Sequence, residues 1–110
     1  MTDERIEKIK SAVESADHIS AEKKAELLAL LANLQPAIAK VAETHPDDAH
    51  SIGQSVEASA HAAAGENKRP ERLERAVREL KQTVEKFEAS HPDLAAFVNQ
   101  YSTVLSALGI

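Results

Sequence analysis

A four-residue motif occurs twice in this chain, each time directly after a heptad run of apolar residues. The copies are Thr44-His45-Pro46-Asp47 and Ser90-His91-Pro92-Asp93, with equivalent residues 46 positions apart. Steps of four and three residues keep side chains on one face of a helix. The pattern predicts a long helix, a sharp junction and a new helix, and predicts this twice. The two apolar runs are Leu27, Leu31, Leu34, Ile38, Val41 and Leu73, Val77, Leu80, Val84, Phe87.

The motif is interpreted as a helix start. Thr44 and Ser90 are of the residue types that favour the N-cap. Proline is tolerated in the first turn, because its missing N–H would have no intrahelical partner there. We therefore expect the threonine or serine as N-cap, histidine first, proline second and aspartate third in each new helix. Proline also disfavours the α conformation of the histidine before it, so each preceding helix should end at this point.

The whole chain is predicted to be all-α, with five helices forming an antiparallel bundle or helical hairpins. We expect a single domain, 1–110, with an N-terminal helix in 1–19, a first helix pair in 20–65 and a second in 66–110. Three identical residues at matched heptad phase leave two explanations open: an internal duplication of a helix pair, or convergence on the same capping solution. Ser20 should cap the second helix, and Pro36 should kink that helix rather than end it. The helices are expected at about 3–16, 21–43, 46–64, 70–89 and 92–108.

The third predicted helix has an unusual composition. Only Ile52 and Val56 are sizeable apolar residues in it, and alanine dominates its second half. Gly53 lowers its helix propensity by about 1 kcal/mol relative to alanine. Two interpretations stay open: the helix packs closely through small side chains, or it is loosely held. Whether 47–69 is ordered stays open as well.

Composition excludes several function classes. The formal net charge is −5, which disfavours nucleic acid, because such binding relies on lysine and arginine to neutralise phosphates. There is no cysteine for a disulfide or a thiolate site. We see no apolar run of the roughly 18 residues needed to span a membrane, and no apolar signal core near the N-terminus. A cytoplasmic location is therefore expected.

No catalytic or cofactor-binding motif stands out. The three glycines are too scattered for a phosphate-binding loop, and the serines fall at caps or on helix surfaces. We expect no enzyme activity and no cofactor. His45, His50 and His61 are the candidate metal ligands, although no His-Glu-x-x-His or Glu-x-x-His pair accompanies them. A metal or small-molecule carrier is the alternative function, and a pH-sensitive joint is the alternative role of His45 and His91.

The leading functional interpretation is a non-enzymatic protein-interaction or assembly module. Heptad seams pack within one bundle but equally against another chain. The chain has more apolar stripe than one small bundle obviously needs, so we expect a protein partner, either another helical protein or a second copy in a two-fold homodimer. The contact surface is expected to draw on the faces of Leu28, Leu30, Phe97 and Tyr101.

The C-terminal part carries a family resemblance. Phe87-Glu88-Ala-Ser-His91-Pro92-Asp-Leu94-Ala95 is followed by Val104-Leu105-Ser-Ala-Leu108-Gly109-Ile110. These segments resemble the ending of the small bacterial domain-of-unknown-function family 4404. The N-terminal helix pair is also similar to that family, so the resemblance covers 3–43 and 73–110 and leaves out the alanine-rich middle. It implies an all-helical fold and no assigned activity.

Overall fold

The computed structural model describes residues 3–64 and 70–108, and the side chains of 4–64 and 71–107. The predicted five-helix, all-α architecture is confirmed, and the described residues include no strand. The sequence also predicts Thr2 as the N-cap of the first helix, Gly65 and Gly109 as C-caps, and a polar connector after Gly65, and all of these lie outside the described residues. The helices are α1 (Asp3–Ser15), α2 (Ala21–Thr44), α3 (Pro46–Ala64), α4 (Pro70–Glu85) and α5 (Pro92–Leu108).

Helices α2 to α5 form a four-helix arrangement in which consecutive helices are neighbours. Helix α3 packs on α2 and α4, and α5 packs on α4 and α2. Neighbours run antiparallel: an ion pair of 2.7 Å joins Lys86, just past the end of α4, to Asp48 at the start of α3. Helix α1 lies outside this arrangement, across α2 and α3, where Arg5 pairs with Glu57 at 3.3 Å. One hydrophobic core draws residues from all five helices.

The two helix pairs are related in burial as well as in sequence. Every member of both heptad runs is buried, from Leu27 to Val41 and from Leu73 to Phe87. The interhelical contacts also map onto themselves when the pairs are exchanged, because α2 meets α5 as α4 meets α3. Helix α1 has no counterpart in the second pair. This relation is what a duplicated helix hairpin folded about a pseudo-two-fold axis would give.

The alanine-rich helix α3 is the centre of the fold. It contacts each of the other four helices. Its buried positions are mostly small, including Ala49, Gly53, Ser59, Ala60 and Ala63. Small side chains let helix backbones approach closely, since interaxial distance depends on the residues at the contact. Of the two interpretations left open by the sequence, close packing through small side chains is the one observed.

Helix α2 passes through Pro36 without ending. Proline removes the hydrogen bond to the carbonyl four residues earlier, here that of Ala32. Both residues are exposed, and the helix keeps its heptad register beyond the proline, with Ile38 and Val41 fully buried in the core. The predicted cap at its start is confirmed: the Ser20 hydroxyl accepts a hydrogen bond from the Lys23 N–H at 3.2 Å.

No apolar run of membrane-spanning length is expected from the sequence, but helix α2 is long and apolar enough to cross a membrane, judged by length and composition, and it is the one such helix in the described parts of the chain. Such a result is weak evidence, because core helices of soluble proteins pass it too. Here the inward face of α2 is buried in the core, with Leu31, Leu34, Ile38 and Val41 fully enclosed. The fold is compatible with a soluble protein.

Candidate functional site

The two repeated junctions meet at one end of the molecule. The rings of His45 and Phe87 lie 5.2 Å apart and those of Phe87 and His91 lie 5.9 Å apart, both edge-to-face. Phe87 is buried, whereas His91 is half-buried and His45 is exposed. The matching histidines of the duplicated motif therefore share one aromatic contact, which neither motif shows by itself.

The predicted capping positions need correction by one residue. Thr44 is the last residue of α2, and Ser90 lies in the turn before α5. The first intrahelical bonds are accepted by the His45 carbonyl, from Ala49 at 3.0 Å, and by the His91 carbonyl, from Ala95 at 3.3 Å. Each histidine is thus the N-cap and each proline the first helical residue, the position where proline is most enriched. The Thr44 hydroxyl instead lies 2.9 Å from Nδ1 of His45.

The end of α4 also differs from the prediction. The helix ends at Glu85 rather than at Ala89, and residues 86–90 form turns. The backbone N–H groups of Phe87 and Glu88 donate to carbonyls three residues earlier. The backbone N–H of His91 then donates to the Phe87 carbonyl at 2.7 Å. Bonds of this tighter kind commonly end a helix. They turn Phe87 inward, where it is buried between the two histidines.

Charges at this junction end are largely compensated. The starts of α3 and α5 carry the positive ends of two helix dipoles, and Asp47, Asp48 and Asp93 lie in those first turns. Lys86 binds Asp48 and also lies 5.7 Å from the centre of the Phe87 ring. The side chains there stabilise the two helix starts.

The three candidate metal ligands are not brought together. His45 contacts Phe87, His50 is exposed on α3, and His61 lies 3.9 Å from the Glu57 carboxylate. Sixteen residues of helix separate His45 from His61, about 24 Å along the axis. Across 3–64 and 70–108, no group of three or more His, Cys, Asp or Glu side chains could hold a metal ion.

The predicted contact residues divide into buried and partly exposed ones. Tyr101 and Leu30 are buried, at 0 % and 8 % exposure, whereas Leu28 and Phe97 are half-buried against the core. This corrects the placement of Tyr101 on a contact face. It belongs to the heptad series with Leu94, Val98 and Leu105, and that series faces inward. Of the four residues, Leu28 and Phe97 keep the most accessible surface.

Tyr101 makes a buried polar connection that the sequence pattern does not predict. Its hydroxyl donates to the Val56 carbonyl at 3.1 Å and lies 3.1 Å from the Ser59 hydroxyl, which also donates to Val56 at 2.8 Å. This links α5 to the central helix α3. Burial raises the pKa of Tyr101 well above its ordinary range, and the Ser59 hydrogen bond lowers it by less. The enclosed phenol has no access to a substrate, so its role is structural.

A charge-free outer surface is the feature that points to binding. No Asp, Glu, Lys or Arg occurs from Leu27 to Ala39 or from Leu94 to Ala107, although the chain has 31 such residues. These stretches lie on the adjacent helices α2 and α5. We name as the α2/α5 face a set of exposed residues from these stretches together with Ala25, which lies just before the first stretch, between Lys24 and Glu26: Ala25, Ala29, Ala32, Pro36, Ala39, Ala96, Gln100, Thr103 and Ala107.

The seam between α2 and α5 is indented in two places. A cavity of about 520 Å³ lies among Ala29, Leu30, Gln100 and Val104, and the charged residue Glu26 also lines it. A second, of about 230 Å³, lies beside Pro36, Ala37 and Phe97 and extends towards His91, and the charged residues Lys40 and Asp93 also line it. Both are open to solvent. Helix α4, in contrast, exposes a dense set of charges, namely Glu71, Arg72, Glu74, Arg75, Arg78, Glu79, Lys81 and Glu85.

No protein-family model matches the sequence, and neither the curated proteins nor the solved structures include a match to it. The resemblance to family 4404 therefore stays a prediction, carried by the two C-terminal segments.

The histidine pair gives a first testable expectation. Replacing His45 or His91 by alanine removes one edge contact with Phe87, a type of contact worth about 0.5–1.5 kcal/mol. We expect His91→Ala to lower the free energy of unfolding by about 1 kcal/mol and the more exposed His45→Ala by less. Urea unfolding followed by circular dichroism measures both, with His50→Ala as an exposed control within about 0.5 kcal/mol of the parent. Unchanged stability in both variants would show that the ring contacts do not hold the junctions.

Proposed function

We propose that this protein is a non-enzymatic, cytoplasmic helical interaction module that contacts a protein partner through the α2/α5 face. The observation that carries the proposal is the charge-free exposed surface on two adjacent helices. Soluble proteins normally cover outer helix faces with charged and polar side chains. The cores of protein–protein interfaces, in contrast, are depleted of charge.

The composition of the face suits a helical partner. Its α2 half consists of alanines and one proline, which allow another helix to approach closely. Phe97 lies half-buried at the edge of the seam and can supply the larger apolar contact that most interfaces need. The polar residues on the α5 half, Gln100 and Thr103, can form hydrogen bonds without requiring a countercharge.

A charge introduced at the centre of the face should remove binding. We expect Ala32→Glu to weaken association by more than about a hundredfold, because an unpaired charge buried at an interface costs several kcal/mol. Ala32 is exposed in the monomer, so the fold should tolerate the change. Ala58→Glu, at an exposed position of α3, is the matched control. The measurement is light scattering of purified protein, together with affinity capture from native lysate and intact-mass determination of the complexes.

Two results would contradict the proposal. One is a parent protein that stays strictly monomeric and captures no partner sensitive to Ala32→Glu. The other is binding to phosphatidylcholine vesicles that Ala32→Glu abolishes, without any protein complex, which would assign the face to a lipid surface. A stoichiometric complex that is lost in Ala32→Glu and retained in Ala58→Glu would support it.

A further inference from the structure

The charge pattern at the ends of α2 identifies a partner for the α2/α5 face. We propose that the face pairs with a second copy of this chain, with the two α2 helices antiparallel across a two-fold axis near Ala32. This inference rests on the proposed function and adds the identity of the partner. It concerns the outer stripe of α2, defined as Ala25, Ala29, Ala32, Pro36 and Ala39.

Exposed charges lie beyond both ends of the outer stripe, among them Glu43 in line with it, and two of these charges are opposite in sign and share one flank. Glu22 precedes the stripe and Lys40 follows it, and both side chains are exposed. They are 18 residues apart, which is five turns at 3.6 residues per turn, so they lie on the same flank of the helix. Within the described parts of the chain, neither side chain has an ion-pair partner.

A two-fold axis between two copies makes the charges at this spacing complementary, because it brings Glu22 of one copy to Lys40 of the other. When two α2 helices pack face to face and antiparallel, each flank meets the same flank of the other copy. Residues 22 and 40 are equidistant from residue 31, one position before Ala32. An axis at that level therefore places Glu22 of each copy beside Lys40 of the other, and forms the pair twice. The small side chains between them let the helices approach closely.

The net charge favours this face for self-association. Each copy carries a formal charge of −5, so two copies repel each other overall, and a contact surface without charge adds nothing to that repulsion. The outer stripe is such a surface. The openings on the α2/α5 seam flank the stripe on one side, and a crossing copy would cover part of them. One symmetric contact of this kind would cover the apolar stripe and pair Glu22 with Lys40 at both of its ends.

Charge reversal and its repair test the pairing. We expect Lys40→Glu and Glu22→Lys each to raise the dimer dissociation constant about tenfold, because each reverses two surface pairs. The double variant Glu22→Lys with Lys40→Glu should return to within about threefold of the parent. Lys81→Glu on α4 changes the net charge as Lys40→Glu does and should stay within about threefold. Sedimentation equilibrium at low salt measures each constant, and thermal melts verify that each variant folds.

A double variant that binds no better than the single ones would overturn this pairing. A parent protein that is monomeric throughout the series would overturn it too. If that monomer still captured a different protein through a surface blocked by Ala32→Glu, the self-pairing would fail while the proposed function stood. If it captured none, both would fail.

Discussion

Tyr101→Ala should lower the free energy of unfolding by about 3–5 kcal/mol, the largest loss expected from any single residue considered. Large-to-small changes in a core lose both burial and packing, and aromatic-to-alanine changes fall in this range. Tyr101 is fully buried and is among the largest enclosed side chains of the bundle. For a domain of this size that loss is a large part of the whole stability.

The hydroxyl and the ring of Tyr101 can be separated. Tyr101→Phe keeps the ring and removes the bonds to Val56 and Ser59, so we expect a smaller loss of about 1–2 kcal/mol. Thr103→Ala, two residues along α5 and exposed, should change stability by less than about 0.5 kcal/mol. Urea unfolding followed by circular dichroism measures all three. A loss below about 1 kcal/mol for Tyr101→Ala would show that α5 is not anchored to α3 through this residue.

The same phenol should make stability fall at alkaline pH. Burial raises its pKa in the folded state above the value of about 10 in an unfolded chain. The stabilising contribution is therefore complete below pH of about 10 and is lost as the pH rises through the folded-state value. Tyr101 is the one tyrosine of the chain and there is no tryptophan, so phenolate absorbance follows this group alone. As the pH rises above about 10, the free energy of unfolding of the parent should therefore fall more than that of Tyr101→Phe.

Ala60→Leu should also destabilise the protein, by about 1–3 kcal/mol. Ala60 is 2 % exposed on the helix that contacts every other helix. Extra methylene groups in a well-packed core force side chains and backbone apart. Ala58→Leu provides a matched control on the same helix, because Ala58 is exposed and the two substitutions have the same helix propensity. Thermal and urea unfolding of the pair isolate the effect of packing.

An Ala60→Leu variant as stable as Ala58→Leu would contradict the central role of α3. It would indicate spare volume around this helix, as expected for a loosely held element. The sequence left that alternative open, because composition alone does not distinguish a helix that packs closely from one that packs weakly.

Much of the fold could be predicted because its signals are local. The heptad runs identified the buried faces of α2 and α4, and Ser20 was correctly identified as a cap. The junction caps were misplaced by one residue, since threonine and serine are good caps in general. The preference of proline for the first helical position is the signal that favours histidine as the cap.

The central position of α3 could not be predicted in the same way. It depends on which helices become neighbours, and that choice is made by tertiary packing rather than by local propensity. The contact of both histidines with Phe87 has the same origin. It needs the two junctions at one end of the bundle, and therefore the antiparallel order of all four helices.

Only part of the candidate surface could be predicted from the sequence. The charge-free stretches of α2 and α5 can be read directly, but their adjacency requires the topology. Tyr101 was assigned to a contact face although its heptad phase with Leu94 and Leu105 favours the core. The spacing of Glu22 and Lys40 acquires meaning only when α2 is known to continue through Pro36 as one helix.

The central claim is that the α2/α5 face is the binding surface, and amide chemical shifts test it most directly. In a concentration series of isotope-labelled protein, we expect shift changes at Ala25, Ala29, Ala32 and Ala39 and along the outer side of α5. Amides of α4 should stay unchanged, and Ala32→Glu should abolish the changes. Shift changes confined to the charged outer side of α4, or spectra independent of concentration and of every captured partner, would contradict the account.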